Sequence, residues 1–352
     1  MKISFPPPAG AALALALALA LALAAATAAA ADTGAPTIYG IVDASVSRDT
    51  GRYAAGATTT LGSGGAYGSR LGLRGTEPLG PGLAALFELE SGFNVDDGTL
   101  AQGANLLFGR KALVGLRGPL GSVKLGRQDS PLYSATVNFD PFREGVTGAY
   151  TRVMGAISSL RRNDNTVAYT PPALGPLRAE LAYSAGERAG GAGRGAAASL
   201  TYADGPLSVA WSAQNANSKP VAPAPVVATR LRALGASYAF GWATASVLAS
   251  TTRTDAGADV RDVLLGATVP LGAGLLQLSY IVHRDRAAAG ADARQGALGY
   301  VRPLSPRTGL YGRYARIGNG PDGRLGLAAR ADGGAAAGTT ERLVTLGCYH
   351  FF

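Results

Sequence analysis

The side chains that could act chemically are few and scattered along this chain. Its two histidines, His283 and His350, lie far apart in sequence, and a metal site needs three or four converging ligands, so neither points to one. One cysteine, Cys348, forms no internal disulfide and no thiolate site, and reads as a small packing residue or an unpaired thiol. There is no HExxH pair and no Walker string; GGAGRG at 190–195 lacks the Lys-Ser/Thr and the strand-to-helix setting of a phosphate loop. Ser158 or Ser159 with Asp164 and a distant histidine is the one triad that can be assembled, and it has no supporting motif. An enzyme is therefore not expected, nor a cofactor. Arginine is the residue type with a pattern: in an extended RLGLR, Arg70, Gly72 and Arg74 share one face while Leu71 and Leu73 share the other, a cationic wall backed by an apolar one.

The composition limits what could position such a wall. Of 352 residues 50 are glycine, 47% are hydrophobic and only 16% are charged, with a formal charge of +9. Leu, Val, Tyr and Phe recur throughout, which excludes a disordered polymer, and glycine has no period of three, which excludes collagen. The excess positive charge is dispersed instead of being clustered with aromatics, so a nucleic-acid partner is not expected. Met1 and Lys2, the Ala/Leu run of 11–26 and the small residues at 28–31 form a signal peptide over residues 1–31; Asp32-Thr33-Gly34 after it favours cleavage over retention as an anchor. Beyond it, charge or clustered Gly and Pro interrupts every stretch of about 18 residues, so no helical span is expected.

What recurs is a run of about ten residues with alternating character. Leu83, Ala85, Phe87 and Leu89 fall on one face, opposite Glu88 and Glu90; Leu276, Leu278, Tyr280 and Val282 alternate with Gln277, Ser279, Ile281 and His283. Only 112–116 and 229–240 alternate poorly. Tight turns, such as Gly80-Pro81-Gly82 and Asp204-Gly205-Pro206, take turns with longer segments at 49–68, 94–107, 130–162, 187–194, 216–228, 254–259, 285–293 and 318–339. Short turns on one side, long loops on the other and about sixteen strands between them describe an all-β transmembrane antiparallel barrel, a single domain over 32–352. A β-propeller would show a repeat of about forty residues, and none is present. A charge facing lipid at mid-depth costs about 2–4 kcal/mol, so the face holding Arg70 and Arg74 must look into the lumen.

TIYGIVDASVS (37–47), SRLGLRGTEPLGPGLAALFELESGF (69–93), GRKALVGLRGPLGSVKLGRQDSPLY (109–133) and RRNDNTVAYTPP (161–172) resemble the Gram-negative trimeric porins, in particular their β-proteobacterial branch. The resemblance covers nearly all of the chain after the signal. It implies a homotrimer of sixteen-stranded barrels in the outer membrane, set among outer-membrane lipid and lipopolysaccharide, passing ions and small hydrophilic solutes passively. It implies a constriction loop in the lumen at 130–162, whose two carboxylates four residues apart match Asp140 and Glu144, opposite arginines matching Arg70, Arg110, Arg127 and Arg152. This chain adds Arg74 to the wall and Arg143 between the acids, so an anion preference is expected. The terminal Phe352 matches the residue by which such barrels are recognised by the outer-membrane assembly machinery. Two readings stay open beside general diffusion: a porin specific for one anion or substrate, and a closed barrel acting as adhesin or receptor through its loops.

Overall fold

The computed structural model describes residues 35–53, 56–103, 105–143, 145–187, 189–220, 224–327 and 335–352. The expected signal segment and Glu144 lie outside the described residues. The alternating runs become one antiparallel sheet of seventeen strands. The first half holds β1 (Thr37–Tyr53), β2 (Gly56–Ser63), β3 (Arg70–Gly80), β4 (Leu83–Gly92), β5 (Lys111–Gly118), β6 (Gly121–Asp129), β7 (Arg162–Thr170), β8 (Leu177–Ser184) and β9 (Gly195–Asp204). The second half holds β10 (Leu207–Asn217), β11 (Ala228–Ala239), β12 (Thr244–Thr254), β13 (Asp259–Leu271), β14 (Gly274–Asp285), β15 (Ala293–Pro303), β16 (Thr308–Asn319) and β17 (Thr340–Phe351).

β2 and β3 lie end to end along one edge of β1, with Val46 opposite Leu61 and Tyr39 opposite Gly72. They are one stave interrupted at 64–69, so seventeen strands make the expected sixteen staves. On its other edge β1 pairs with β17, Val46 opposite Leu346, and the barrel closes with no backbone edge left in lipid. Closure continues to the terminus: Gly40 N donates to Phe352 O at 3.0 Å and Phe352 N donates to Gly40 O at 3.1 Å. The Phe352 ring lies over Gly40, where a Cβ would come within 2.2 Å of it, so this position admits only glycine as the chain stands.

Tight and long connections alternate as expected, with two differences. Most of 49–68 is strand, because β1 and β2 rise together as an extended hairpin. The link between β12 and β13 is a turn of four residues, 255–258. Outward side chains such as Leu346, Leu265 and Leu181 are more than half exposed, the band that meets lipid.

The lumen is not simply wet. Segment 130–161 folds inside the barrel, where Leu132, Phe139, Phe142, Tyr150, Met154 and Ile157 pack on inward residues of β10 to β17, among them Leu231, Leu264 and Ile317. It starts with a short helix, Pro131–Thr136, set by the Ser130 cap (Tyr133 N donates to Ser130 Oγ, 3.2 Å) and by proline in the first turn. Wall side chains hold its backbone: Ser246 Oγ donates to Phe139 O (2.7 Å), Gln277 Nε2 to Pro141 O (2.5 Å) and Gln295 Nε2 to Gly148 O (2.9 Å). This explains the weak alternation of 229–240. On β11 Leu231 and Ala233 face inward under the segment while Arg230, Arg232 and Leu234 face outward, so both faces are mixed. No residue of β2 to β9 joins this core, although the short helix also lies against β8 and β9.

Candidate functional site

The side outside that core carries the arginine wall. On β3, Arg70 and Arg74 face the lumen with Gly72 between them, and Leu71 faces outward, 46% exposed. Tyr39 of β1 lies flat across Gly72, where a Cβ would come 2.2 Å from its ring. The Tyr39 hydroxyl stands 2.8 Å from Glu88 Oε1 and 3.0 Å from Glu90 Oε2 on β4, and the Arg74 guanidinium stacks over the Tyr39 ring at 5.0 Å. Lys111 Nζ pairs with Glu88 at 2.8 Å, Arg110 Nε with Glu90 at 2.5 Å, and Arg70 Nε donates to Gly68 O at 2.9 Å. Strand register brings these together: Arg74 is opposite Glu88, Gly72 opposite Glu90, and Glu90 opposite Lys111. Four cations thus stand around two carboxylates, and the patch keeps a positive field. Arg74, the most exposed of the wall arginines, makes no ion pair among the described residues.

Not every expected residue reaches the water. Arg110 is only 4% exposed and is neutralised by Glu90, so it braces the wall and offers little to a passing ion. Arg127 is committed across strands: its Nε donates to Gly109 O at 2.7 Å and its Nη1 pairs with Asp164, which Lys219 also contacts. Arg152, half-buried, sits in the turn Tyr150–Arg152 of the inner segment.

Asp140 is the clearest correction. Its carboxylate is fully buried behind the inner segment, not lining the opening. It accepts from Phe142 N at 2.9 Å and from Tyr150 N at 2.8 Å, tying two turns of that segment together. The physical reason is local: after the helix the chain must reverse at Asp140-Pro141, and a short carboxylate satisfies the amides the reversal leaves unpaired. Burial pushes this carboxyl up to about 7, against the lowering pull of the two amides and of Arg313. Arg143, in the left-handed region at φ 47, is exposed.

Sequence reasoning missed the knot that fixes the geometry. Asp43 of β1 is buried and accepts from Gly65 N (3.1 Å), Ala66 N (3.0 Å), Tyr67 N (2.8 Å) and the Tyr311 hydroxyl (2.5 Å), pinning the break between β2 and β3. Arg313, 4% exposed, donates to Gly65 O at 2.9 Å and lies over the Phe142 ring at 5.2 Å, joining that break to the inner segment. The available signal was an aspartate on the lumen face of IVDASVS; its three amide donors come from a loop over twenty residues on. Arg161 and Arg162, which share Asp129 on the side β10 to β17 leave open, also escaped notice, as did Lys111 and Lys219. Among the described residues no three His, Cys, Asp or Glu side chains converge as a metal site.

A closed barrel with a cationic wall on the lumen face of β3 to β5 suits the passage of ions. Comparison with known proteins agrees. The family model described as Gram-negative porin matches residues 14–322. Outer membrane porin protein 32 of Delftia acidovorans is 36% identical over 334 residues, covering 90% of this chain and 93% of that protein. An outer membrane porin protein of Bordetella pertussis is 33% identical over 298 residues, covering 71% of this chain and 77% of that protein. The solved anion-selective porin from Comamonas acidovorans superposes with a TM-score of 0.82 at 34% identity, over 91% of this chain and 100% of that one. The chain belongs to the Gram-negative porin family, a β-barrel of the outer membrane that forms a channel.

Proposed function

We propose that the protein is a general diffusion porin with a preference for small anions, its narrowest passage lying between the inner segment 130–161 and the β3–β5 wall. The observation that carries this reading is the wall itself: Arg70, Arg74, Arg110 and Lys111 against Glu88 and Glu90, with Arg74 exposed and unpaired by any described carboxylate. A ring of unbalanced positive charge at a constriction favours anions by sign without binding any of them tightly. The name of the similar Comamonas porin supports the preference. The acidic side expected from Asp140 and Glu144 is reduced, since Asp140 is buried. Assembly is read as a homotrimer, as the resemblance implies, with residues 1–31 removed on export and Phe352 presented to the assembly machinery.

The test is single-channel recording of detergent-extracted protein in a planar bilayer, with the reversal potential read under a salt gradient. Closures in multiples of three and a reversal on the anion side are expected. A cation-side reversal would overturn the preference. Saturation or block by one solute at low concentration would replace general diffusion with a substrate-specific channel, and silence from folded barrels would move the function to the loops.

A further inference from the structure

The lumen face of β1 joins the cationic wall to an aromatic patch that the passage of simple ions does not use. Its inward residues are Tyr39, Ile41 and Asp43 in succession. Tyr39 carries the Arg74 guanidinium over its ring at 5.0 Å. Two residues on, Ile41 stands between Arg70 on one neighbouring stave and Phe351 on the other. Two residues further, buried Asp43 accepts from the Tyr67 amide at 2.8 Å, which lays the break between β2 and β3 against the end of β17.

Three rings meet there. The Tyr67 ring packs against Tyr349 at 5.0 Å and against Phe351 at 5.4 Å, with interplanar angles of 80° and 63°. Alternation turns Tyr349 and Phe351 inward, since Cys348, His350 and Phe352 are exposed on the outer face. Tyr349, opposite Asp43 and 8% exposed, belongs to the packing around that carboxylate. Tyr67 and Phe351 are only half-buried and keep part of their rings toward the lumen. The inner segment docks on the same break, where Val146 N donates to Gly65 O at 3.2 Å, two residues before Tyr67. A solute passing between that segment and the wall therefore meets rings as well as arginines.

The spacing suits one kind of solute. From Tyr39 to Phe351 is one stave across, about 4.8 Å, and two residues along, about 6.6 Å, so their Cα atoms lie about 8 Å apart. A carboxylate held at Arg74 places a single ring attached to it over Ile41, in the corner that Tyr67 and Phe351 form. We propose that this corner is a binding subsite for one-ring aromatic carboxylates, the head taken by Arg74 and the ring by Tyr67 and Phe351. The inference rests on the anion-preferring channel read above and names its favoured solute class. Rings set at steep angles attract a further aromatic ring through complementary quadrupoles, which a saturated ring does not match. A short aliphatic acid gains only the head, and a neutral arene only the corner. The acids of this surface do not cancel the head: Glu88 and Glu90 are paired with Lys111 and Arg110, and Asp43 is buried under four donors. The terminal Phe352 O accepts from Gly40 N.

The detergent-extracted protein, conducting potassium chloride in a planar bilayer, is titrated with benzoate, cyclohexanecarboxylate, acetate and benzamide. The half-saturating concentration of each is read from block of the chloride current and its excess noise. Benzoate is expected to act at about tenfold lower concentration than acetate and about threefold lower than cyclohexanecarboxylate, with benzamide inactive over the same range. Tyr67→Leu/Phe351→Leu removes the rings and keeps an apolar surface, so it should erase the advantage of benzoate over cyclohexanecarboxylate; Arg74→Gln should weaken all three acids. Unitary chloride conductance checks that each variant forms an open barrel, and Phe351→Leu alone replaces the double variant if that one does not fold. Equal half-saturation by benzoate and cyclohexanecarboxylate, or an advantage that persists without the rings, would overturn the proposal. The reversal potential in potassium chloride separates the two readings: an anion-side reversal without a benzoate advantage removes the subsite alone, and a cation-side reversal removes both.

Discussion

Replacing Arg74 by glutamine tests the cationic wall at its most exposed member. Arg74 sits over the Tyr39 ring with no ion pair among the described residues, so the change removes a charge without stranding a buried partner. A unit charge about 6 Å from an ion in water contributes about 0.7 kcal/mol, attraction for an anion and equal repulsion for a cation. At 0.1 M salt, with a Debye length of about 10 Å, roughly half of this survives, leaving a difference of about 0.8 kcal/mol between the two signs. The anion-to-cation permeability ratio of R74Q should therefore fall about fourfold at 0.1 M. At 1 M the Debye length of about 3 Å screens the site, and the fall should shrink to less than about twofold. Reversal potentials at both ionic strengths measure this. An unchanged ratio at 0.1 M, or a change that salt does not weaken, would refute the electrostatic reading of the wall.

Other perturbations separate the wall from its supports. Arg110→Gln leaves Glu90 buried beside its lost partner, so its main effect should be a loss of about 3–5 kcal/mol in barrel stability, read by thermal unfolding in detergent. Asp43→Ala strips the acceptor from three backbone amides and the Tyr311 hydroxyl; at about 1.5–3 kcal/mol per charge-assisted hydrogen bond, partly offset by water, unfolding in detergent should shift by several kcal/mol. Asp140 titrates near about 7 when folded and near about 4 when unfolded, so the folded chain takes up a proton between those values. The packing it supports is full at low pH and weakens as pH rises through 7. Open-channel current noise should rise with a midpoint near 7, and the step should vanish in Asp140→Asn; the same step in that variant would assign it to another group. Phe142→Ala empties a site 1% exposed under Arg313, and at about 3–5 kcal/mol for a buried aromatic the inner segment should loosen and conductance should rise or flicker.

Much of the barrel was legible because membranes impose local rules. Leu83 to Glu90 and Leu276 to His283 had to alternate, since each strand meets lipid on one face and the lumen on the other, and the turn residues had to recur where strands reverse. RLGLR could be placed facing inward from the cost of charge in lipid alone. The outcome at Arg110 and Asp140 was not legible. Their types and spacing suited a filter and a brace equally, yet Arg110 is neutralised by Glu90 on the neighbouring stave, and Asp140 is consumed by amides ten residues and fewer along its own segment. Residues 229–240 misled for a related reason: the rule that the lumen face is polar fails wherever another segment fills the lumen.

The sequence by itself determined that this chain crosses a membrane as about sixteen alternating strands and turns an arginine face toward water, because period, turn chemistry and desolvation cost act over a few residues. The tertiary structure alone decided which arginines remain free to act on an ion. That depends on closing the sheet and on docking 130–161 against β10 to β17, which brings Asp43 to Tyr311 and Arg313 to Phe142 across more than a hundred residues. Whether a charge acts on permeant ions or holds the wall is set by the partner it meets, and such partners are chosen by three-dimensional packing, which no local pattern encodes.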